Sequence, residues 1–359
     1  MRNVKKVIAG ILLTATVLGT GTQISVGATK YNLEGSPSEV NFNKRPAKIK
    51  NKFDGKSYSY SESSLLDKIY NEMDLLLAMY DTAMCEYYIN PYKTYTGDEG
   101  ITIDACEEMW NDVANKCDEV LSYYNGSYKI GAFQCCDLIK QIANATIAWI
   151  RTEKEPTAEN WNNVALEFER VDNSIEYAEE GVYRVVDFGG DVFAQAKVNT
   201  AKAYAAFVEL NNAINPTEED YNRVGSLLAN AAIKNYKEGE AIDDYCEENE
   251  RYDGLAEECN GKFEEIYKKV KDMKQEEQNS ELLADFTLMK NQIRFTKTKE
   301  LCFYAGKCKL EKRRQLLNEA KDTYEELYYD FNDFAREEER DKCIEEIHHI
   351  ESGYYGWNN

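Results

Sequence analysis

A ten-residue pattern occurs twice in this chain, 60 positions apart, and it narrows the possible folds more than any other stretch does. The first copy reads Pro156-Thr157-Ala158-Glu159-Asn160-Trp161-Asn162-Asn163-Val164-Ala165. The second reads Pro216-Thr217-Glu218-Glu219-Asp220-Tyr221-Asn222-Arg223-Val224-Gly225. Recurrence at a fixed period is the mark of a repeated supersecondary unit. Each copy reads as the start of a helix. Thr157 and Thr217 sit where a hydroxyl can accept from an orphan backbone N–H. Pro156 and Pro216 precede those caps, so they and the aromatics Trp161 and Tyr221 occupy the two positions of a hydrophobic staple. Glu159, and Glu218 with Glu219 and Asp220, place negative charge in the first turn, where the helix dipole favours it. Trp161, Val164, Ala165, Phe168, Val171 and Ile175 then fall on one helical face, as do Val224, Leu228 and Ala231. Asn162 and Asn222 lie past the cap, and their expected role is a hydrogen bond to the preceding hairpin.

A fainter echo, Trp110-Asn111-Asp112-Val113-Ala114, lacks the Pro-Thr. Each copy is followed by a Gly-bearing turn and another long helical pattern, so the unit is a helix–turn–helix of about 50–60 residues, longer than tetratricopeptide or HEAT repeats. The expected fold is all-α, with antiparallel helical hairpins stacked as a bundle or short α-solenoid. Only 5 prolines in 359 residues suit long helices. Helices are expected from about Ser64 to Tyr88, Thr102 to Tyr124 and Tyr128 to Arg151, then from Thr157 onward. An Ala-rich one follows across 190–213, with others over 217–250, 255–278, 280–305 and 308–350.

The N-terminus reads differently. Arg2, Lys5 and Lys6 precede an apolar run from Val7 to about Leu18, and Val26-Gly27-Ala28 supplies small residues for cleavage, so residues 1–28 read as a secretory signal peptide. The run is short for a membrane span, and none is expected after cleavage. Residues 29–60 read as a disordered polar linker, locally basic at Lys44, Arg45, Lys48, Lys50, Lys52 and Lys56. Residues 61–359 form the helical-repeat domain. The expected location is therefore secreted or cell-surface associated, with signal features that resemble bacterial ones in composition.

Export alters how the 10 cysteines read, because thiols outside a reducing cytosol usually pair. Cys106 and Cys117 are eleven residues apart on one helix, about 16 Å along its axis, too far to join. Residues equidistant from a hairpin turn face each other. That reasoning pairs Cys85 with Cys106, Cys117 with Cys135 or Cys136, and Cys246 with Cys259. Cys302 and Cys308 join only if Gly306 breaks the helix between them.

The net charge of −22 becomes −25 once the three cations of the signal segment are removed. It repels phosphate backbones, and nucleic acid is not an expected partner. No Gly-rich phosphate loop or nucleophile elbow occurs. Asp243-Asp244-x-x-Glu247 has a magnesium-diphosphate spacing, but a chain with 65 acidic residues produces such spacings freely. Glu345-x-x-His348 and Glu346-x-x-His349 resemble half of a di-iron site. The only two histidines are adjacent, so the second half is missing. Asn249-x-Arg251-x-Asp253-Gly254 is a poor calcium loop. No cofactor, metal ligand set or catalytic residue is assigned.

Two features point to binding. Residues 290–314 form a basic island containing Lys290, Arg294, Lys297, Lys312, Arg313 and Arg314, whose alternative role is pairing with an acidic neighbouring helix. The tail carries Tyr354, Tyr355 and Trp357, able to stack on sugars or grip a protein. The leading expectation is an exported, non-catalytic protein that binds a protein or cell-envelope component through its helix surface. The alternatives are a small-ligand or metal-binding protein with an inter-helix pocket, and an all-α polymer-degrading enzyme using paired carboxylates.

Overall fold

The computed structural model describes residues 48–50, 57–84, 87, 102–123, 131–176, 190–242, 254–274, 280–333 and 336–355. The expected signal peptide, Cys85, Cys246, the Asp243-Asp244 stretch, most of the weak calcium loop and Trp357 all lie outside them. Among the described residues the fold is all-helical, with ten helices packed against their neighbours. The exception is one short ladder within the 29–60 segment: β1 (Lys48–Lys50) runs antiparallel to β2 (Ser57–Ser59) and both touch α1.

The chain divides into two compact units, one of residues 1–151 with 170–190, the other of 152–169 with 191–359. The first is built on α1 (Tyr60–Met84), α2 (Ile103–Leu121) and most of α3 (Gly131–Lys154). Thr102 caps α2, its hydroxyl accepting from the Ala105 N–H at 3.2 Å. Trp110 and Val113 are buried, as their echo of the motif requires, and Trp110 meets Tyr80 of α1 edge-on at 6.0 Å. α3 returns antiparallel to α2, with Arg151 paired to Glu107 at 2.8 Å and Lys140 to Asp118 nearer the turn. The Ser174 hydroxyl, near the end of α4 (Ala158–Glu176), donates to Gln141 of α3 at 2.7 Å.

The second unit holds the start of α4, α5 (Gly190–Asn212), α6 (Glu218–Ile242), α7 (Gly254–Met273), α8 (Glu281–Lys307), α9 (Leu310–Asp333) and α10 (Glu337–Glu351). Both motif copies open helices as expected. The Thr157 hydroxyl accepts from the Asn160 N–H at 3.1 Å and that of Thr217 from the Asp220 N–H at 3.2 Å. In the second copy the Asp220 carboxylate also accepts from the Thr217 N–H at 2.9 Å, closing a reciprocal capping box. Trp161, Val164, Ala165 and Phe168 are buried in one copy, Val224, Leu228 and Ala231 in the other, whereas Tyr221 is only half-buried.

Within the second unit successive helices run antiparallel, and helices two apart run parallel. Thr200 and Cys259 meet across α5 and α7 at a separation of 59 residues, Asn211 and Lys269 at 58, and Asn222 and Asp285 across α6 and α8 at 63. These offsets bracket the spacing of the two motif copies. The repeat is thus the register of the helix stack.

Three expectations need correction. Asn222 donates to Asp285 of the later helix α8 at 3.2 Å rather than to the preceding hairpin, and Asn162 is exposed. The helix expected over 308–350 is two helices, α9 and α10. α9 ends on Asn332-Asp333, residue types of low helix propensity, and the Arg336 N–H reaches back to Phe331 O at 3.2 Å. The staples are not disulfides either: Cys117, Cys135 and Cys259 carry free thiols, and Cys106 is a buried thiol. Of the two partners the spacing allows Cys117, the hairpin brings Cys136, whose thiol donates to the Cys117 carbonyl at 3.3 Å instead of joining its sulfur, while Cys135 lies within electrostatic range of Asp81 on α1. Cys259 sits instead among the Thr200 and Tyr204 hydroxyls, each 4.0 Å away. α8 runs unbroken through Gly306, so Cys302 and Cys308 also stay apart as thiols.

Candidate functional site

Of the basic island, the part on α8 is spoken for. Lys290 pairs with Glu264 of α7 at 2.8 Å, Lys297 with Glu257 of α7, and Arg294 with Glu326 and Asp330 of α9. Lys299 stands 3.6 Å from Glu346 of α10. Spacing four apart along α8 puts these cations in register with acidic helices on either side. For Lys290, Arg294 and Lys297 the alternative role is the one the structure contains. Arg313 is also occupied: its guanidinium donates to Ala305 O at 3.1 Å and Gly306 O at 2.6 Å, satisfying carbonyls that the end of α8 leaves open.

What remains is the turn between α8 and α9. Lys309, Lys312 and Arg314 are exposed and make no ion pair among the described residues. Leu310 between them is 40% exposed. Lys307 beside them lies over the Phe303 ring, 4.2 Å from its centre. α8 and α10 are both antiparallel to α9. Arg313 faces Ala305 at one end of the α8–α9 pair, while on the other side Lys321 pairs with Glu351 and Arg340 with Asn332. Lys321 lies eleven residues into α9, about 16 Å along its axis from Leu310, so the C-terminus of α10, with Tyr354 and Tyr355, meets the middle of α9 and not this turn.

The tail is fixed there by one buried carboxylate. Glu346 accepts from the Tyr355 hydroxyl and has Lys299 at 3.6 Å and the His349 Nδ1 at 4.0 Å. Burial, then that hydrogen bond, pushes the Tyr355 phenol well above its usual range. Tyr355 is consequently part of the packing around the buried Tyr324, Leu327, Phe331 and Cys343. Tyr354 is not. It stacks on His349 with ring centres 4.6 Å apart and is 71% exposed. Of the nine residues the sequence singles out as a binding surface, the structure leaves Lys312, Arg314 and Tyr354 facing solvent, the two cations at the α8–α9 turn and Tyr354 apart from them at the end of α10. Leu310 and Lys309 stand at the turn with the two cations. The position of Lys309, Lys312 and Arg314 at a helix start, where cations are disfavoured, is the signal in the sequence that separates them from the α8 cations.

A second concave feature lies at the motif itself. The first turns of α6 and α8 flank an open groove of about 500 Å³ lined by Glu218, Glu219, Asn222, Arg223, Glu281 and Asp285, among others. Its polar groups are largely engaged: Glu218 with Lys274, Asp285 with Asn222, and Arg223 with Glu209 at 3.3 Å. It is neither closed nor apolar, the two properties that hold a small ligand.

Among the described residues no group of three or more His, Cys, Asp or Glu is placed to hold a metal ion, and no helix is long and apolar enough to cross a membrane. His349 approaches Glu345 and Glu346 only at 3.9 and 4.0 Å. No protein-family model, curated protein or solved structure matches this chain.

Proposed function

We propose that the chain is a non-catalytic helical-repeat protein, secreted or held at the cell surface, that binds another macromolecule through the surface of its second unit. One observation carries the reading: in a chain of net charge −22, Lys309, Lys312 and Arg314 stand exposed with no ion-pair partner among the described residues, beside the exposed Leu310. Charges that served only to neutralise acidic neighbours would be paired, as those of α8 are. Unpaired cations around an exposed apolar side chain on a rigid element can steer and orient a partner of opposite charge. The N-terminal segment, with its basic start and apolar run, supports export.

The test is retrieval. Full-length protein, expressed in its source cells with a C-terminal tag, is recovered from the extracellular fraction together with what it binds. The expected result is processed protein in that fraction, carrying a partner in fixed ratio. Protein that stays inside the cell with its first residues intact, or that emerges alone at every salt concentration, rejects the reading.

A further inference from the structure

We infer that the α8–α9 end of the second unit is a docking surface for an acidic segment of a partner protein; this rests on the binding function proposed above and names its partner class. The start of α9 carries a local cost. α9 begins Leu310-Glu311-Lys312-Arg313-Arg314 and has no basic residue in its last turn, which instead holds Asp330 and Asp333. The N-terminus of a helix carries a partial positive charge and its C-terminus a partial negative one. The charges of α9 are therefore arranged against its own dipole.

Arg313 is accounted for by the carbonyls it satisfies on α8. Lys309, Lys312 and Arg314 have no such account, and moving them elsewhere would stabilise α9. Residues that cost stability without packing or pairing are the ones function retains. Their sign, together with the open N–H groups of a helix start, defines the complement as carboxylate-rich. Leu310, 40% exposed among them, adds apolar surface that an oligopeptide uses and a bare polyanion does not. At physiological ionic strength the screening length is about 8 Å. The overall negative charge of the chain then weakens the encounter only at long range and leaves the local contact intact.

The experiment measures binding of a fluorescein-labelled oligoglutamate peptide containing Leu and Tyr to the full-length protein by anisotropy, at low and at physiological salt. The comparison is with the triple variant Lys309→Glu, Lys312→Glu, Arg314→Glu. The wild type is expected to bind with an affinity that falls with salt. The variant should bind roughly tenfold or more weakly, the sum of three exposed charge contacts. Its thermal midpoint should equal or exceed that of the wild type, because the replacement acids suit the start of α9. A variant that loses binding by misfolding would instead melt lower, and Leu310→Ser then supplies the second comparison, with binding again expected to weaken. No binding at low salt, binding unchanged in the variant, or equally variant-sensitive capture of polyphosphate or anionic vesicles overturns the inference. If the triple variant still retrieves the partner of the wild type from the extracellular fraction, the binding function stands and this surface falls.

Discussion

Gly225 is where the two motif copies differ most consequentially. The first copy has Ala165 at this position, buried at 2% exposure. A Cβ built on Gly225 would lie 2.4 Å from Phe286 Cζ and 2.7 Å from its Cε1. The Phe286 ring cannot swing aside, being fully buried and stacked on Phe263 at 5.5 Å and on Tyr267 at 6.3 Å. Glycine inside a helix costs about 0.5–1 kcal/mol relative to alanine, and overpacking a tight core costs about 1–3 kcal/mol. The clash is the larger effect, so Gly225→Ala should destabilise the protein by roughly 1–2 kcal/mol in urea unfolding. Gly225→Ala combined with Phe286→Leu should cost less than the two single changes added together. A stabilising Gly225→Ala would mean that α6 and α8 are not held this closely. The smallness of this position is plain in the sequence. That a ring from the next repeat fills the space is not, because it depends on a contact 61 residues away.

At the level of the helix, the two caps look alike in sequence and differ in chemistry. Thr157→Ala and Thr217→Ala should each lower stability by about 1 kcal/mol, the usual worth of a cap, measured by chemical unfolding. In the first copy the third residue after the cap is Asn160, which donates to Glu155 O at 3.0 Å and does not titrate. In the second it is Asp220, whose carboxyl is held below its usual range, first by the Thr217 backbone N–H and then by the Thr217 hydroxyl. A depressed folded value gives a contribution present above the unfolded value of 3.8 and lost as pH falls through the folded one. Protection factors, which correct amide exchange for its intrinsic slowing in acid, should therefore fall in the first turn of α6 as pH drops, while the first turn of α4 stays protected. An equal fall at both ends would show that the box adds nothing to the Thr cap. The elements read well from sequence wherever a cap or periodic apolar face marked them, as with α4 and α6. The α9–α10 break escaped because Asn332-Asp333 is a weak signal beside Pro or Gly. The candidate site split along the same line. Pairing of Lys290, Arg294 and Lys297 needs the positions of α7 and α9, while the misfit of Lys312 and Arg314 with the α9 dipole needs only α9 itself.

On the scale of the molecule, every described cysteine except Cys308 is buried, and this sets how the fold responds to alkali. Burial pushes the thiols of Cys135, Cys259, Cys302 and Cys343 each up to about 12, from 9.0. The Cys117 thiol is raised too, first by its hydrogen bond with Cys136 and then by burial. Buried phenols add to this, since burial drives Tyr80 and Tyr204 well above their usual value. The folded chain thus keeps protons that the unfolded chain releases from about pH 9. Stability carried by these groups is complete below that pH and drains away as pH rises through about 12, at up to about 1.4 kcal/mol per unit for each group. Urea midpoints measured in reductant should hold level through neutrality and fall steeply above pH 9, and Cys259→Ser should make that fall shallower, because its hydroxyl does not titrate in the range. The same burial orders the chemistry of the thiols. Among the described residues Cys308 is the half-buried one, at the C-cap of α8, and should be alkylated first in the native protein, while Cys117, Cys135, Cys136, Cys259, Cys302 and Cys343 react only after unfolding. Native labelling of Cys259 as fast as Cys308 would mean that the packing of α5, α6 and α7 opens freely. The register that makes the 60-residue repeat would then be looser than its hydrogen bonds require.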